Sequence, residues 1–386
     1  MQYLAKRFQN QAPGLSLDTE ALSRYPDLID LSIGDTDFVT DERIIDAAMK
    51  DAKAGYTHYG FPGGDPELID AICKSWSEDF GQELSREEVT VTASSCLGMA
   101  EALFAILNPG DEVIVTAPYF AVYRQQIELA GGVCVEVDSY EDENFRLHEG
   151  RLRASITEKT RAIILNNPCN PTGVAYHRED LELLADIVKE KGLLLLADEI
   201  YTRYVFDGEF IPIRTLPGMK EHVITLNSFS KNFMMTGWRI GCLIGPPSLL
   251  RAIERINGGL IYTSPSVSQR AAIKALELRE DLAQRYITQY RERLWYAADR
   301  IERISYMSLS RPGGTFYLFP GIRKAKVSSA RFCQIALEQA HVLLSPGSVF
   351  GACGEGHVRI AVTQQKDKLS EAFDRLEGLA KRHIFS

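Results

Sequence analysis

The chain has 386 residues, of which 45% are hydrophobic and 25% are charged, so it is long enough to bury at least one large core. Its formal net charge of -9 argues against a nucleic-acid-binding surface, because a phosphate backbone requires a basic footprint. The seven cysteines contain no CxxC pair and the seven histidines no HExxH spacing, so the sequence predicts neither a disulfide framework nor a metal site.

The sequence also lacks the usual signals for membrane insertion and export. No apolar run reaches the roughly 18 residues that a membrane-spanning helix needs. The opening segment, MQYLAKRFQNQAPG, has no apolar core of the kind found in signal peptides. We therefore expect a soluble cytoplasmic protein with no nucleic-acid or membrane partner.

Short hydrophobic runs alternate with helical patterns through the middle of the chain. Most of these runs are continuously apolar, which predicts strands that are buried on both faces. The alternation predicts an α/β fold, with a large domain over residues 46–275 in which a mostly parallel seven-stranded sheet lies between helices. The predicted strands are EVTVTA (88–93), DEVIVTAP (111–118), VCVEVD (133–138), RAIILNNP (161–168), GLLLLADEI (192–200), HVITLNSFS (222–230) and RIGCLIG (239–245).

Helices are predicted between the strands and towards the end of the chain. The segments 97–108 and 178–192 have helical patterns, and the second ends in KEKG, which suits the helix dipole and a glycine cap. From about residue 280 the pattern changes to a long polar helix over 280–303, followed by GGTFYLF, a further helix and HVRIAV. We expect both chain ends, residues 1–45 and 276–386, to form a smaller α+β domain.

Polar and aromatic side chains follow five of the predicted strands. Each has an ordinary explanation, since serines often cap helices, phenylalanines pack in cores and lysines are usually solvated. However, ligands of open α/β sheets bind beyond the carboxyl ends of the strands, and these residues share that edge. They are Ser94, Ser95 and Cys96, then Phe120, then Asn170, then Asp198 and Tyr201, and finally Ser228, Lys231 and Arg239.

This set of groups suits the cofactor pyridoxal 5'-phosphate. The cofactor needs an amine that holds its aldehyde as a Schiff base and a carboxylate that keeps its ring nitrogen protonated. Its phosphate needs an anion site, for which a helix N-terminus and an arginine are natural donors. Its phenolic oxygen needs a hydrogen-bond donor and its ring needs a flat neighbour. The sequence therefore predicts a pyridoxal phosphate site at this edge of the sheet.

From about residue 30 to residue 363 the chain resembles the class I aminotransferases, which have the aspartate aminotransferase fold and belong to the fold-type I pyridoxal phosphate-dependent enzymes. The resemblance implies transamination between an L-amino acid and a 2-oxo acid by a ping-pong route. The segments that carry it are YTHYGFPGGDPELIDAI, TASSCLG, NPGDEVIVTAPYF, NNPCNPTG, LLLLADEIY, NSFSKNFMMTGWRIG, GGTFYLF and HVRIA.

The resemblance also implies individual roles. Lys231 would be the Schiff-base lysine and the base that moves the proton, and Asp198 would pair with the ring nitrogen. Tyr201 and Asn170 would hydrogen-bond the ring oxygen. The phosphate would be held by Ser94, Ser95, Ser228, Arg239 and the backbone of Cys96, the ring by Phe120, and the substrate α-carboxylate by Arg359, Asn170 and the backbone at Gly34.

The same resemblance implies a homodimer with shared active sites. Tyr59, in HYGFPGG, matches a tyrosine that reaches the phosphate of the neighbouring subunit. Thr263, in YTSP, lies where another contact of this kind occurs. Sequence patterning by itself does not indicate this assembly.

Several functional alternatives stay open at this point. A preference for dicarboxylic substrates is in doubt, because Cys96 stands where such enzymes often carry lysine and no second substrate-binding arginine can be placed.

A C–S β-lyase on the same fold begins with the same removal of a Cα proton. SFSK also fits the S-x-x-K pattern of penicillin-interacting serine enzymes, but their S-D-N and K-T-G elements do not occur in the sequence. A non-enzymatic regulator that senses pyridoxal phosphate would need a DNA-binding extension, and the sequence has no basic N-terminal segment of that kind.

Overall fold

A computed structural model gives the fold of the chain and describes Tyr3, Ala5, residues 24–382, Ile384 and Phe385. Within this part the polypeptide is α/β, as the sequence predicts. Its strands are β1 (Ile29–Asp30), β2 (Val89–Thr92), β3 (Glu112–Ala117), β4 (Val133–Asp138), β5 (Thr160–Asn166), β6 (Leu194–Asp198), β7 (Val223–Ser228), β8 (Gly241–Ile244), β9 (Tyr317–Leu318), β10 (Val342–Leu343), β11 (Ser345–Pro346) and β12 (Val358–Ala361).

Helices separate most of these strands. The α-helices are α1 (Glu42–Lys53), α2 (Pro66–Phe80), α3 (Ser95–Ile106), α4 (Val122–Leu129), α5 (Glu149–Ser155), α6 (Arg178–Lys191), α7 (Phe229–Asn232), α8 (Pro247–Leu260), α9 (Ser266–Glu277), α10 (Arg279–Leu282), α11 (Thr288–Ile301), α12 (Ser329–Ala340) and α13 (Lys366–Lys381). Short 3-10 turns lie at Arg86–Glu88, Glu141–Glu143, Ile213–Thr215, Thr236–Trp238, Arg323–Ala325, Gly347–Phe350 and Ala352–Gly354.

The seven predicted strands form one sheet in the order β2-β8-β7-β6-β5-β3-β4. All pairings are parallel except those of β8, which runs antiparallel to both β2 and β7. The prediction of a mostly parallel seven-stranded sheet is therefore confirmed. Because β8 runs in the opposite direction, its first residue, Gly241, pairs with Ser228 and Thr92 at the carboxyl edge of the other strands.

Both faces of the sheet are covered, which explains why its strands are continuously apolar. Successive side chains of a strand point to opposite faces. On β3, Val113 and Val115 pack with the buried residues of α3, α4 and α8, whereas Ile114 packs with those of α5 and α6. Burial on each face therefore stabilises the fold by about 25 cal/mol for each Å² of apolar surface removed from water.

Helix α6 shows how local sequence sets the ends of an element. Asp180 in its first turn accepts a hydrogen bond from the backbone of His177 at 3.0 Å. The helix ends at Gly192, whose φ of 62° is a left-handed conformation that glycine adopts without strain. Acidic residues lie in the first turn and lysines in the last turn, in the order that the helix dipole favours.

The long helix predicted over 280–303 is observed as a helical segment without a break over residues 279–301. It differs from a regular α-helix in its π-helical turn at Ala283–Ile287, which separates α10 from α11. A π-turn adds a residue to one turn and so rotates the face that follows it. Here Arg285 in the turn reaches Asp41 at 3.2 Å, while Arg293 in α11 reaches Asp37 at 2.8 Å.

The two ends of the described chain meet in small sheets. Strand β1 pairs in parallel with β10, and β12 pairs antiparallel with β11 and β9. The division into a domain of residues 46–275 and a domain of residues 1–45 and 276–386 stays a prediction, and most of residues 1–23 lie outside the described part. Among the described residues, no helix is both long and apolar enough to cross a membrane.

A buried ion pair joins the strand region to the loop after β6. The guanidinium of Arg214 is fully buried and bonds the carboxylate of Glu88, which Lys220 also contacts at 2.9 Å. Glu88→Gln leaves the Arg214 charge without its carboxylate, so we expect the free energy of unfolding to fall by about 3 kcal/mol in urea titrations. Arg86→Ala removes the exposed pair with Asp70 and should change the free energy of unfolding by less than about 1 kcal/mol. Equal effects of the two variants would contradict this prediction.

Candidate active site

The N-terminus of α3 forms one wall of the site. Ser94 has a φ of 97° and its side chain accepts a hydrogen bond from the backbone of Leu97 at 3.2 Å, which caps the helix. Gly241 leaves room for this turn, since a Cβ there would lie 2.6 Å from the backbone nitrogen of Ser95. Ser95 and the exposed Cys96 follow in the first turn. The free N–H groups of this turn make the position suitable for an anion.

The turn between β7 and β8 supplies two further predicted phosphate ligands. The Ser228 hydroxyl accepts a hydrogen bond from the backbone of Ser230 at 3.1 Å and caps α7. Arg239 is an exposed residue with a φ of 52°, and its side chain donates to the backbone oxygen of Thr236 at 2.8 Å. It lies close enough to Cys96 for its positive charge to act on that thiol.

Asp198 ends β6 as a buried carboxylate with one oxygen satisfied. Its Oδ2 accepts a hydrogen bond from the Tyr123 hydroxyl at 2.5 Å. Its Oδ1 is buried and has no hydrogen-bond partner among the described residues. Burial raises the pKa of Asp198 to about 6, and the Tyr123 hydrogen bond opposes that rise. A buried, unpaired carboxylate oxygen is costly unless a ligand pairs with it.

Lys231 lies in α7, directly after β7. Its Nζ donates to the backbone oxygen of Gly34 and lies 5.7 Å from the centre of the Phe316 ring. The pKa of Lys231 is lowered to about 8, chiefly by burial, with Asp35 opposing the shift and the charge of Arg359 adding to it. With this pKa, the amine can accept and release a proton near neutral pH.

Arg359 reaches the site from β12, at the far end of the chain. Its guanidinium lies between two aromatic rings, 4.6 Å from the centre of Tyr317 and 4.8 Å from that of Phe350. It donates to Asn170 Oδ1 at 3.0 Å and to the backbone oxygen of Ser32. Its buried Nε has no partner among the described residues. A rigidly held guanidinium with a free N–H is suited to a carboxylate ligand.

Three other predicted site residues, Tyr201, Phe120 and Tyr59, differ in how far they are buried. Tyr201 is buried and its hydroxyl lies 3.3 Å from that of Tyr317. Phe120 is partly buried just before α4, and its ring meets that of Tyr123 edge-on at 5.6 Å. Tyr59 lies apart from this hydrogen-bonded cluster, with 81% of its surface exposed.

Two site residues were missed by sequence reasoning. Tyr123 bonds Asp198, and its only signal in the sequence is its position three residues after Phe120, whose ring it meets edge-on. Tyr317, in the segment GGTFYLF, contacts Tyr201 and stacks on Arg359. It also explains Gly34, because a Cβ at Gly34 would lie 1.6 Å from the Tyr317 hydroxyl.

The site contains groups for acid–base and anion chemistry. No cluster of three or more His, Cys, Asp or Glu side chains suited to a metal ion occurs in the part of the chain that the structure describes. What converges instead is a carboxylate, an amine, two guanidinium groups and a helix N-terminus.

Comparison with known proteins identifies the family. The family model described as Aminotransferase class I and II matches residues 26–376. An aspartate aminotransferase of Pyrococcus abyssi is 37% identical over 92% of both chains, and an aromatic-amino-acid aminotransferase of Thermococcus litoralis is 36% identical over 92% of both. A structure of an aspartate aminotransferase double mutant from Thermus thermophilus superimposes with a TM-score of 0.93 at 32% identity, covering 98% of this chain and 100% of that one.

The chain belongs to the class I and II aminotransferases. The predictions of an aminotransferase and of the aspartate aminotransferase fold are therefore confirmed. The C–S β-lyase alternative is not favoured, since these relatives are all named as aminotransferases.

The depressed basicity of Lys231 has a consequence for stability. Its pKa is about 8 in the folded chain, below the ordinary 10.5, so between these values the unfolded state binds more protons. The contribution of Lys231 to the free energy of unfolding therefore rises as the pH increases from about 8 to 10.5. We expect Lys231→Met to remove this component, measured as the difference in urea midpoint between pH 8 and pH 10.5 in the cofactor-free protein. Lys74→Met, at a lysine whose side chain is 76% exposed, should keep the wild-type difference.

Proposed function

We propose that the chain is a pyridoxal phosphate-dependent aminotransferase that moves an amino group between an L-amino acid and a 2-oxo acid. The observation that carries the proposal is the buried Oδ1 of Asp198, which has no partner within the described residues and lies at the sheet edge that also presents Lys231. An unpaired carboxylate oxygen fits a protonated ring nitrogen, and an amine fits an aldehyde. The donor set present therefore fits the cofactor that the family uses.

We propose that residues at the ends of five strands hold the cofactor. Asp198 would accept a hydrogen bond from the ring nitrogen, and Tyr201 and Asn170 would donate to the ring oxygen. Phe120 would lie against the ring. The phosphate would be held by the backbone and hydroxyls of Ser94 and Ser95, the backbone of Cys96, Ser228 and Arg239, which combine a helix N-terminus with a guanidinium.

The reaction needs a base, an orienting clamp and an electron acceptor. When bound, pyridoxal phosphate supplies an aldehyde for the amino group and a ring that delocalises the electrons left when the Cα proton departs. Lys231 Nζ is the base in this proposal, and its pKa of about 8 lets it accept and return a proton near neutral pH. Arg359 would hold the substrate α-carboxylate through its free Nε, together with Asn170 and the backbone at Gly34.

Relatives of the chain are named for aspartate and for aromatic amino acids. We propose these two kinds of side chain as the first donors to examine. Initial rates with a panel of L-amino acids, each with 2-oxoglutarate and with pyruvate as acceptor, would separate them. Release of pyruvate from cystathionine in the same assays would support the lyase instead.

We also infer a cytoplasmic homodimer. The exposed rings of Tyr59 and Tyr262 meet edge-on at 4.9 Å, and Thr263 follows Tyr262. Phe61, two residues after Tyr59, is 63% exposed. Exposed aromatic clusters of this kind are typical of protein interfaces. All seven cysteines are free thiols, which agrees with a reducing compartment.

The first test replaces the proposed base. Lys231→Ala should reduce the rate of amino transfer by about 10³-fold, because general-base catalysis contributes 10²–10⁴. Wild-type protein reconstituted with the cofactor and treated with borohydride should carry the cofactor mass on the peptide that contains Lys231. Lys74→Ala is the matched control and should behave as wild type. Amino transfer at an undiminished rate in Lys231→Ala would contradict the assignment.

The second test addresses the shared site. Tyr59→Ala and Lys231→Ala should each have low activity, whereas a refolded mixture of the two should recover activity. A mixed dimer contains one complete site, with Lys231 from one subunit and Tyr59 from the other. Mixing Asp198→Asn with Lys231→Ala is the control, since both residues serve the same subunit's site and no complete site forms. Absence of recovery in the first mixture would argue against the shared site.

A further inference from the structure

Tyr123 is a buried residue that contacts two members of the proposed cofactor site. Its hydroxyl donates to Asp198 Oδ2 at 2.5 Å. The edge of its ring meets the Phe120 ring at 5.6 Å with an interplanar angle of 86°. The residue is 2% exposed, so its hydroxyl depends on Asp198 for a hydrogen bond rather than on water.

The hydrogen bond fixes the direction of the Asp198 carboxylate. With Oδ2 bonded to Tyr123, the second oxygen, Oδ1, is left free of partners among the described residues. This is the oxygen that can face a ring nitrogen. Besides Tyr123, the backbone N–H of Ile200 also favours the ionised carboxylate, against the effect of burial.

We propose that Tyr123 is a positioning residue that keeps Asp198 ionised and its Oδ1 aimed at the ring nitrogen of the cofactor, and that it thereby accelerates removal of the substrate Cα proton. This inference rests on the proposed function. The phenol does not touch the reacting atoms, and its effect passes entirely through the carboxylate.

Tyr123 influences the position of one proton that the ring nitrogen and Asp198 share. That proton lies either on the ring nitrogen, facing a charged Asp198, or on Asp198, facing a neutral nitrogen. A hydroxyl that donates to the carboxylate stabilises the charged arrangement, because it bonds more strongly to the ionised oxygen. Loss of the hydroxyl makes Asp198 the better base, so the proton moves to the carboxylate and the nitrogen loses its charge.

The test is Tyr123→Phe, which removes the hydroxyl and keeps the ring that meets Phe120. Holoenzyme loaded with nitrogen-15-labelled pyridoxal phosphate should show a ring-nitrogen resonance shifted towards the unprotonated position. We expect kcat to fall about tenfold, the effect of losing one hydrogen bond to a charged group, while KM for the amino donor changes little. The isotope effect with a Cα-deuterated donor should rise, because proton removal then limits the rate more strongly.

Tyr119→Phe is the matched control. Tyr119 lies on the same segment, and its ring is stacked on that of Tyr123 at 6.5 Å. Its hydroxyl, however, donates to Glu136 Oε1 at 2.7 Å and not to Asp198. We expect wild-type kcat and a wild-type ring-nitrogen resonance in this variant.

Replacement of Tyr123 by 3-fluorotyrosine provides a change in the opposite direction. The fluorinated phenol is a stronger donor, so the resonance should move towards the protonated position, even if Tyr123→Phe folds poorly. A lowered kcat with an unchanged resonance in Tyr123→Phe would overturn the proposal, as would an equal loss in Tyr119→Phe or an unchanged resonance with 3-fluorotyrosine. Absence of amino transfer in the wild-type holoenzyme would instead overturn the proposed function.

Discussion

The site depends on ionisable groups that are withdrawn from water at the edge of an apolar sheet and are only partly paired within the described part of the chain. Burial raises the pKa of Asp198 to about 6 and lowers that of Lys231 to about 8, so each group is pushed towards its neutral form. In the described part of the chain, the Tyr123 hydroxyl donates a hydrogen bond to the acid, and the Gly34 carbonyl accepts one from the amine. One oxygen of Asp198 and the Nε of Arg359 have no hydrogen-bond partner in the part of the chain that the structure describes. These groups lower the stability of the chain and are available to a ligand, a cost that functional sites commonly carry.

The sheet topology determines which side chains meet at that edge. Parallel strands deliver their carboxyl ends to one side, so Asp198 at the end of β6 and Lys231 just after β7 lie at the same edge. The antiparallel β8 begins where its neighbours end, so Arg239, just before it, joins the same edge. Arg359 comes from a different sheet and is fixed by stacking on Tyr317 and bonding to Asn170. The site is therefore a junction between the large sheet and the small sheets that the chain ends form.

Much of this arrangement could be predicted from the sequence. Continuous apolar runs identify strands covered on both faces, and the residues that follow each run necessarily lie at one edge. The predicted strand at 239–245 nevertheless begins only at Gly241, because Arg239 has a left-handed backbone that a hydrophobic pattern does not indicate. Tyr123 and Tyr317 were missed for a related reason. Aromatic residues within apolar segments are usually core residues, and a hydroxyl that reaches a carboxylate or another hydroxyl depends on tertiary geometry.

The pairing of β1 with β10 limits how early this part of the molecule can fold during synthesis. Ile29 forms its parallel pair with Val342, and the Ser345 hydroxyl bonds the backbone of Ser32, which precedes it by 313 residues. Gly34, which bonds Lys231, lies in this same early segment. During synthesis the segment emerges 313 residues before its strand partner, Val342. The nascent chain must therefore keep an unpaired strand edge in solution until that partner has been made, and the site cannot close before then.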